Sequence, residues 1–162
     1  MGRAVFKVIV IIAVVVLVFL LYKFFAGNSQ AAEQNLQLGK DFLSTNGQAE
    51  EVVTTDSGLQ YVLLQAGSGT THPTASDRVK VHYHGTMING VVFDSSVERG
   101  QAIEFGLNQV IKGWTEGLQT MVVGEKKRFF IPSDLAYGNR GAGQIPPGST
   151  LIFEVELLAI NP

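Results

Sequence analysis

The chain has 162 residues, room for one domain and an appendage. It has no cysteine, which excludes a disulfide framework and thiol chemistry. Formal net charge is −2, but all 14 acidic residues follow Ala32, while only Arg3, Lys7 and Lys23 carry charge before Gln30. The downstream part sets nine basic against 14 acidic residues, a net of −5, so it offers nucleic acid no net attraction.

The first segment reads as a membrane element. Val8 to Tyr22 is an apolar run of about 15 residues, short of the ~20 of a usual span. Lys7 and Lys23 can snorkel to the headgroups. Ala4 to Ala26 then forms about 34 Å of helix, enough to cross a hydrocarbon core of about 30 Å. The alternative is a cleaved signal peptide and a soluble periplasmic protein. Against it, Phe24 and Phe25 stand where a cleavage site wants small residues, and Ser29 and Ala31 lie far out. Arg3 and Lys7 keep the short end cytoplasmic. The expectation is a single-pass inner-membrane protein whose domain faces the periplasm or cell exterior. Residues 1–27 are the anchor or signal segment.

Residues 28–51 form a polar connector, partly helical. Gln30 to Leu43 has few helix breakers, and Leu36, Phe42 and Leu43 make a weak apolar stripe. Asn46-Gly47 suits a left-handed helix end. The stripe fits a solvated spacer helix or a marginal dimerisation helix.

From Val52 to Pro162 the pattern is β with one short helix. Leu59–Leu63 alternates, and Gly67-Ser68-Gly69 turns the chain. Arg78–His84 alternates with Val79, Val81 and Tyr83 on one face. Asn89-Gly90 predicts a type I′ hairpin into Val91–Asp94. Ile103–Phe105 is another short strand. Lys112–Thr120 is a helix with Trp114, Leu118 and Met121 on one face, weakened by Gly117. Lys126–Ile131 and Thr150–Ile160 close the set. Antiparallel strands and one helix make an α+β domain, the sheet's apolar face packed on the helix.

Three runs carry the functional signal: Val110–Gly117, Gly124–Pro132 and Leu135–Pro147. Each sets a large apolar or aromatic side chain beside glycine or proline, as an aromatic-walled pocket for an apolar ring requires. Other chemistries fare worse. His82 and His84 share the face opposite Tyr83, with no third metal ligand near in sequence. The glycine pairs at 67–69 and 141–143 match no phosphate loop. Ser95-Ser96 lacks a nucleophile elbow. Lys126-Lys127-Arg128 reads as a solvated face with one inward residue. Trp114, Phe105, Phe153 and Leu118 each fit a core position as well, and Asp94 fits a hairpin end bonded to its own backbone.

Residues 52–160 resemble an FKBP-type peptidyl-prolyl cis-trans isomerase of the bacterial exported group that includes the macrophage infectivity potentiators. The motifs are TTDSGLQYVLLQAGSG (54–69), VHYHGTMINGVVFDSS (81–96), NQVIKGWTEGLQTMVVGEKKRFFIP (108–132) and AYGNRGAGQIPPGSTLIFEVELL (136–158). The resemblance implies an antiparallel half-barrel wrapped around one short helix. It implies that Trp114 floors the site, that Tyr83, Phe93 and Phe153 wall it, and that Asp94 and Tyr137 orient the substrate amide. Val110, Ile111, Ile145 and Ile103 would bind substrate, the Ile111 N–H by a hydrogen bond. Ile103 replaces a commoner aromatic, and the loop Gly138–Ile145 is about one residue shorter than in many members. No cofactor and no metal are implied. The implied partners are proline-containing unfolded or loop segments of exported proteins, and macrolide-type inhibitors. A chaperone or assembly factor, holding proline segments in the same pocket without relevant turnover, is the alternative.

Overall fold

The computed structural model describes the backbone of residues 2–162 and, in the first helix, the side chains of residues 14–18, 20, 21 and all from 29 onward. The first helix, α1, runs unbroken from Gly2–Asn46, joining the two N-terminal segments into one rod of 45 residues. Among the described residues, no helix is long and apolar enough to cross a membrane. Most side chains of the span expected over Ala4–Ala26 lie outside those described. The part that is described, Val14–Val18, Leu20 and Leu21, holds its apolar side chains about half exposed, between 47% and 60%.

The end of α1 is docked on the domain, which corrects the picture of a solvated spacer. Phe42 packs on Phe130 with ring centroids 5.8 Å apart. Asn46 Nδ2 donates to Gln60 Oε1 at 2.9 Å, and Gln60 Nε2 donates to the Leu43 carbonyl at 2.9 Å. Gly47 follows the helix without a positive φ, so the expected left-handed cap is absent there. Its missing Cβ instead leaves room for the Gln60 amide, which would stand 2.7 Å away.

The strands are β1 (Val53–Thr54), β2 (Gln60–Gln65), β3 (Arg78–Met87), β4 (Val92–Ser95), β5 (Ile103–Gly106), β6 (Lys126–Ile131) and β7 (Leu151–Ile160). They form one sheet in the order β1-β2-β6-β7-β3-β4, with every pair antiparallel. β5 pairs with Arg78–Val81 of β3, and β4 with His84–Thr86 of the same strand. β3 alternates in burial from Arg78 to Thr86 and β7 from Leu151 to Leu158. The inward faces of β3 and β7 (Val79, Val81, Leu151, Val155, Leu157) and Phe129 and Ile131 of β6 form the core with Leu118 and Met121.

The second helix, α2 (Lys112–Leu118), lies on that face. Gly113 and Gly117 explain how a seven-residue helix sits so close. A Cβ at Gly113 would come 2.5 Å from Ile131, and one at Gly117 would come 2.7 Å from the Phe129 ring. Gly117 thus lowers helix propensity but permits the contact that buries Trp114 and Leu118.

The β3–β4 hairpin departs from the expected type I′ turn. The Gly90 N–H donates to Met87 at 2.9 Å and the Met87 N–H to Val91 at 2.9 Å. Within the loop only Gly90 has positive φ, at +82°. The loop is Ile88-Asn89-Gly90, a turn closed by a left-handed glycine. On β6 the inward basic residue is Lys127. Its Nζ donates to the Thr120 carbonyl at 2.7 Å and lies 4.8 Å from the Tyr61 ring centroid. Lys126 and Arg128 face outward to Glu154, at 3.3 and 2.6 Å.

Candidate active site

A cavity of about 720 Å³ opens between α2, the sheet and the loop after β6. All ten residues singled out in the sequence line it: Tyr83, Phe93, Asp94, Ile103, Val110, Ile111, Trp114, Tyr137, Ile145 and Phe153. They come from β3, β4, β5, α2, β7 and two loops.

Trp114, in the first turn of α2, is 7% exposed. Tyr83 and Phe153 stand edge-on to its ring, at 5.3 and 5.1 Å, and Phe105 tilts against it at 5.2 Å. Phe93 meets Phe153 edge-on at 5.3 Å. These spacings are those of attractive aromatic pairs. Gly85 makes the last pair possible: a Cβ there would lie 2.7 Å from Phe93 and 2.9 Å from Phe153. The Trp114 Nε1 is buried with no hydrogen-bond partner among the described residues.

One wall is polar. The Tyr83 hydroxyl donates to Asp94 Oδ2, and the Arg99 guanidinium donates to Asp94 Oδ1. Arg99 also reaches the Tyr83 hydroxyl at 3.0 Å. Burial pushes the Asp94 carboxyl up, but the bonds from Tyr83 and Arg99 outweigh it and hold the carboxyl below the usual aspartate range. Burial, and then the bond to Asp94, raise Tyr83 above the ordinary phenol value. At neutral pH Asp94 is therefore an anion, Tyr83 is neutral, and the tyrosine ring is fixed in the wall. Asp94 bonds these side chains and also the adjacent Ser95 backbone, as a hairpin-end residue does.

The rim is built by loops. Ile111 occupies the N-cap of α2, its carbonyl accepting from Trp114 and Thr115 N–H at 3.0 and 3.1 Å. Its own N–H has no acceptor among the described residues. Tyr137 stands 41% exposed at the mouth, while Ile145 is 8% exposed. Ala142 and Ile145 exchange backbone hydrogen bonds of 3.0 and 2.8 Å across a tight turn, which aims Ile145 inward.

The sequence reading missed Arg99, which sits in an irregular turn with no periodicity, and Gln109 and Gln144, polar residues of the lining. It took Phe105 for core, whereas Phe105 also lines the cavity. His82 and His84 lie elsewhere: their Nδ1 atoms bond Ser96 and Ser95 hydroxyls, each at 3.0 Å.

This fold and cavity match known proteins. The family model described as FKBP-type peptidyl-prolyl cis-trans isomerase matches residues 69–158, and the domain amino-terminal to it matches residues 19–63. The chain belongs to the FKBP-type peptidyl-prolyl cis-trans isomerase family. It is 54% identical over 130 residues to the FKBP-type isomerase FkpA of Aeromonas hydrophila, covering 80% of this chain and 48% of the relative. It is 45% identical over 134 residues to the outer membrane protein MIP of Legionella longbeachae, covering 82% of this chain and 57% of the relative. The crystal structure of FkpA from Escherichia coli superposes with a TM-score of 0.81 at 43% identity, over 85% of this chain and 64% of that one. An isomerase structure from Pseudomonas syringae superposes at 0.74 and 39% identity, covering 81% of this chain and 96% of that one. The chain spans about half the length of the curated relatives it matches.

Proposed function

We propose that this chain is a peptidyl-prolyl cis-trans isomerase acting on X–Pro bonds of exported proteins. One observation carries the reading: an apolar cavity floored by Trp114 and walled by Tyr83, Phe93 and Phe153, with an orienting carboxylate at its edge. An X–Pro amide resists rotation through its C–N double-bond character, with a barrier of about 18–20 kcal/mol. Uncatalysed exchange takes about tens to hundreds of seconds. No proton transfer or covalent step is needed, only tighter binding of the twisted amide than of the planar one. A twisted amide loses resonance, so its oxygen carries less negative charge and suits an apolar wall better than water does. In this reading the aromatic residues hold the ring, with Ile103, Val110 and Ile145 closing its apolar sides. The unpartnered Ile111 N–H and the Tyr137 hydroxyl take flanking carbonyls. Asp94, held by Arg99, keeps Tyr83 in place in the wall.

The test is isomerisation kinetics of the full chain in detergent micelles on a panel of X–Pro peptides. Acceleration that varies with the residue before proline supports the reading. Peptide binding without acceleration would instead make the cavity a holding site for proline segments. Macrolide-type inhibitors are expected to compete in the same assay.

The setting belongs to the same proposal. Residues 1–27 anchor the chain in the inner membrane, with the domain on the periplasmic or outer face; residues 28–51 link it to the isomerase domain of 52–162. The apolar run Val8–Tyr22 and the exposed side chains of Val14–Val18 support it. Membrane retention in carbonate washes and protease access in spheroplasts are the expected results. A mature N-terminus near Ala32 in a soluble fraction would replace the anchor by a cleaved signal segment.

A further inference from the structure

Helix α1 touches the rim of the cavity from behind. Three of its residues, Ala32, Asn35 and Gly39, face the base of the loop that carries Tyr137 and Ile145. Asn35 Nδ2 donates to the Pro147 carbonyl at 2.9 Å. Ala32 is buried, and its backbone carbonyl lies against Gly148, where φ is +76° and a Cβ would collide with it. Gly39 lies against the buried Thr150, whose hydroxyl occupies the place a Cβ would need. Spacings of three and four put all three on one helix face. The loop is closed on itself just beyond: the Gly148 N–H donates to the Gly138 carbonyl at 2.9 Å. Pro147 and Gly148 are thus the hinge of the segment 138–148, and α1 holds that hinge.

We infer that α1 clamps the cavity's rim loop, with Asn35 as a positioning residue that sets how Tyr137 and Ile145 meet the ligand. This rests on the isomerase reading for its catalytic consequence, but not for the clamp itself. Asn35 does not line the cavity and cannot touch a ligand there. It acts by fixing the Pro147 carbonyl at the hinge. A helix that enters the domain from its N-terminal segment is thereby tied to the part of the cavity that contacts residues flanking proline. The helix face carries small residues because the Ala32 backbone meets Gly148 and Gly39 makes room for the Thr150 side chain: a larger side chain at 39 or 148 would lift the hinge off the helix.

The experiment compares Asn35→Asp with Asn46→Asp in the full chain in detergent micelles. Both remove one helix-to-domain side-chain bond of 2.9 Å, at the rim and at the far end of the seam respectively. Thermal stability, kcat and KM on an X–Pro peptide, and hydrogen exchange at the Ala142 and Ile145 amides are measured for each. Asn35→Asp is expected to raise KM about two- to tenfold, with little change in kcat, and to speed exchange at those two amides by a similar factor. Asn46→Asp is expected to change neither, whatever it does to melting. The milder Asn35→Ala gives the same pattern if the aspartate proves too destabilising. Equal effects of the position-35 and position-46 variants, or rim amides that exchange as in the parent, overturn the clamp. A parent chain that accelerates no X–Pro exchange refutes the isomerase reading, and the hydrogen-exchange comparison then decides the clamp alone.

Discussion

Replacing Trp114 by alanine tests the floor of the site and separates its two roles. The indole is 7% exposed and packs against three rings within 5.3 Å. Truncating a buried tryptophan costs about 3–5 kcal/mol. Each lost aromatic pair accounts for about 0.5–1.5 kcal/mol beyond area, and three such pairs place Trp114→Ala toward the upper end. That is a large part of the about 5–15 kcal/mol that holds a domain folded, so the variant is compared at low temperature, with its folded fraction measured by urea titration. Trp114→Phe is the companion. Because the Nε1 donor has no partner among the described residues, removing it breaks no hydrogen bond, and only volume is lost. Its cost is expected at about 1–2 kcal/mol. Corrected for folded fraction, isomerisation is expected to collapse in the alanine variant and to persist, reduced, in phenylalanine. Full activity in folded Trp114→Ala would refute the assignment of this cavity as the site.

Tyr137→Phe removes a hydroxyl at the open rim. It is expected to leave the melting temperature unchanged and to lower kcat/KM by the equivalent of one neutral hydrogen bond, about 0.5–1.5 kcal/mol. Asp94 gives a pH dependence. Its folded carboxyl lies below the usual range, and an unfolded aspartate titrates near 3.9. Between those values the unfolded chain binds more protons, so the stabilisation is complete above about pH 4 and lost as pH falls through the folded value. Asp94→Asn is expected to flatten that part of the urea-unfolding profile, below about pH 4. Lys127→Met keeps the aliphatic stem but leaves the half-buried Thr120 carbonyl without its donor. A loss of about 1–3 kcal/mol in urea unfolding is expected, with isomerisation by the remaining folded protein unaffected.

What could be read from the chain in advance follows its periodicity. Strict alternation in Arg78–His84 and Leu151–Leu157 announced the two long central strands, because a side chain every second residue must enter the core. The spacing of Trp114, Leu118 and Met121 announced the short helix. The pocket was legible because its aromatics sit beside residues that turn or thin the backbone, at Gly113 and Gly138. The docking of α1 was not. Its contact face is built of Ala32, Asn35 and Gly39, which register as neither apolar stripe nor motif, and their partners are about 110 residues away, at Pro147, Gly148 and Thr150. Arg99 was hidden for a related reason: its partners Asp94 and Tyr83 converge on it only once the β3–β4 hairpin has formed. The hairpin's turn was misjudged because Asn-Gly can fill the last two positions of a three-residue loop as well as the centre of a two-residue one.

The central claim, that this cavity turns over X–Pro bonds, is met most directly by two-dimensional NMR exchange on one X–Pro peptide with catalytic amounts of the full chain in micelles. Exchange cross-peaks between cis and trans resonances report turnover, and line broadening of the proline protons reports binding in the same sample. The account predicts cross-peaks on a sub-second mixing time that vanish with Trp114→Ala. Broadened proline resonances without cross-peaks would contradict it.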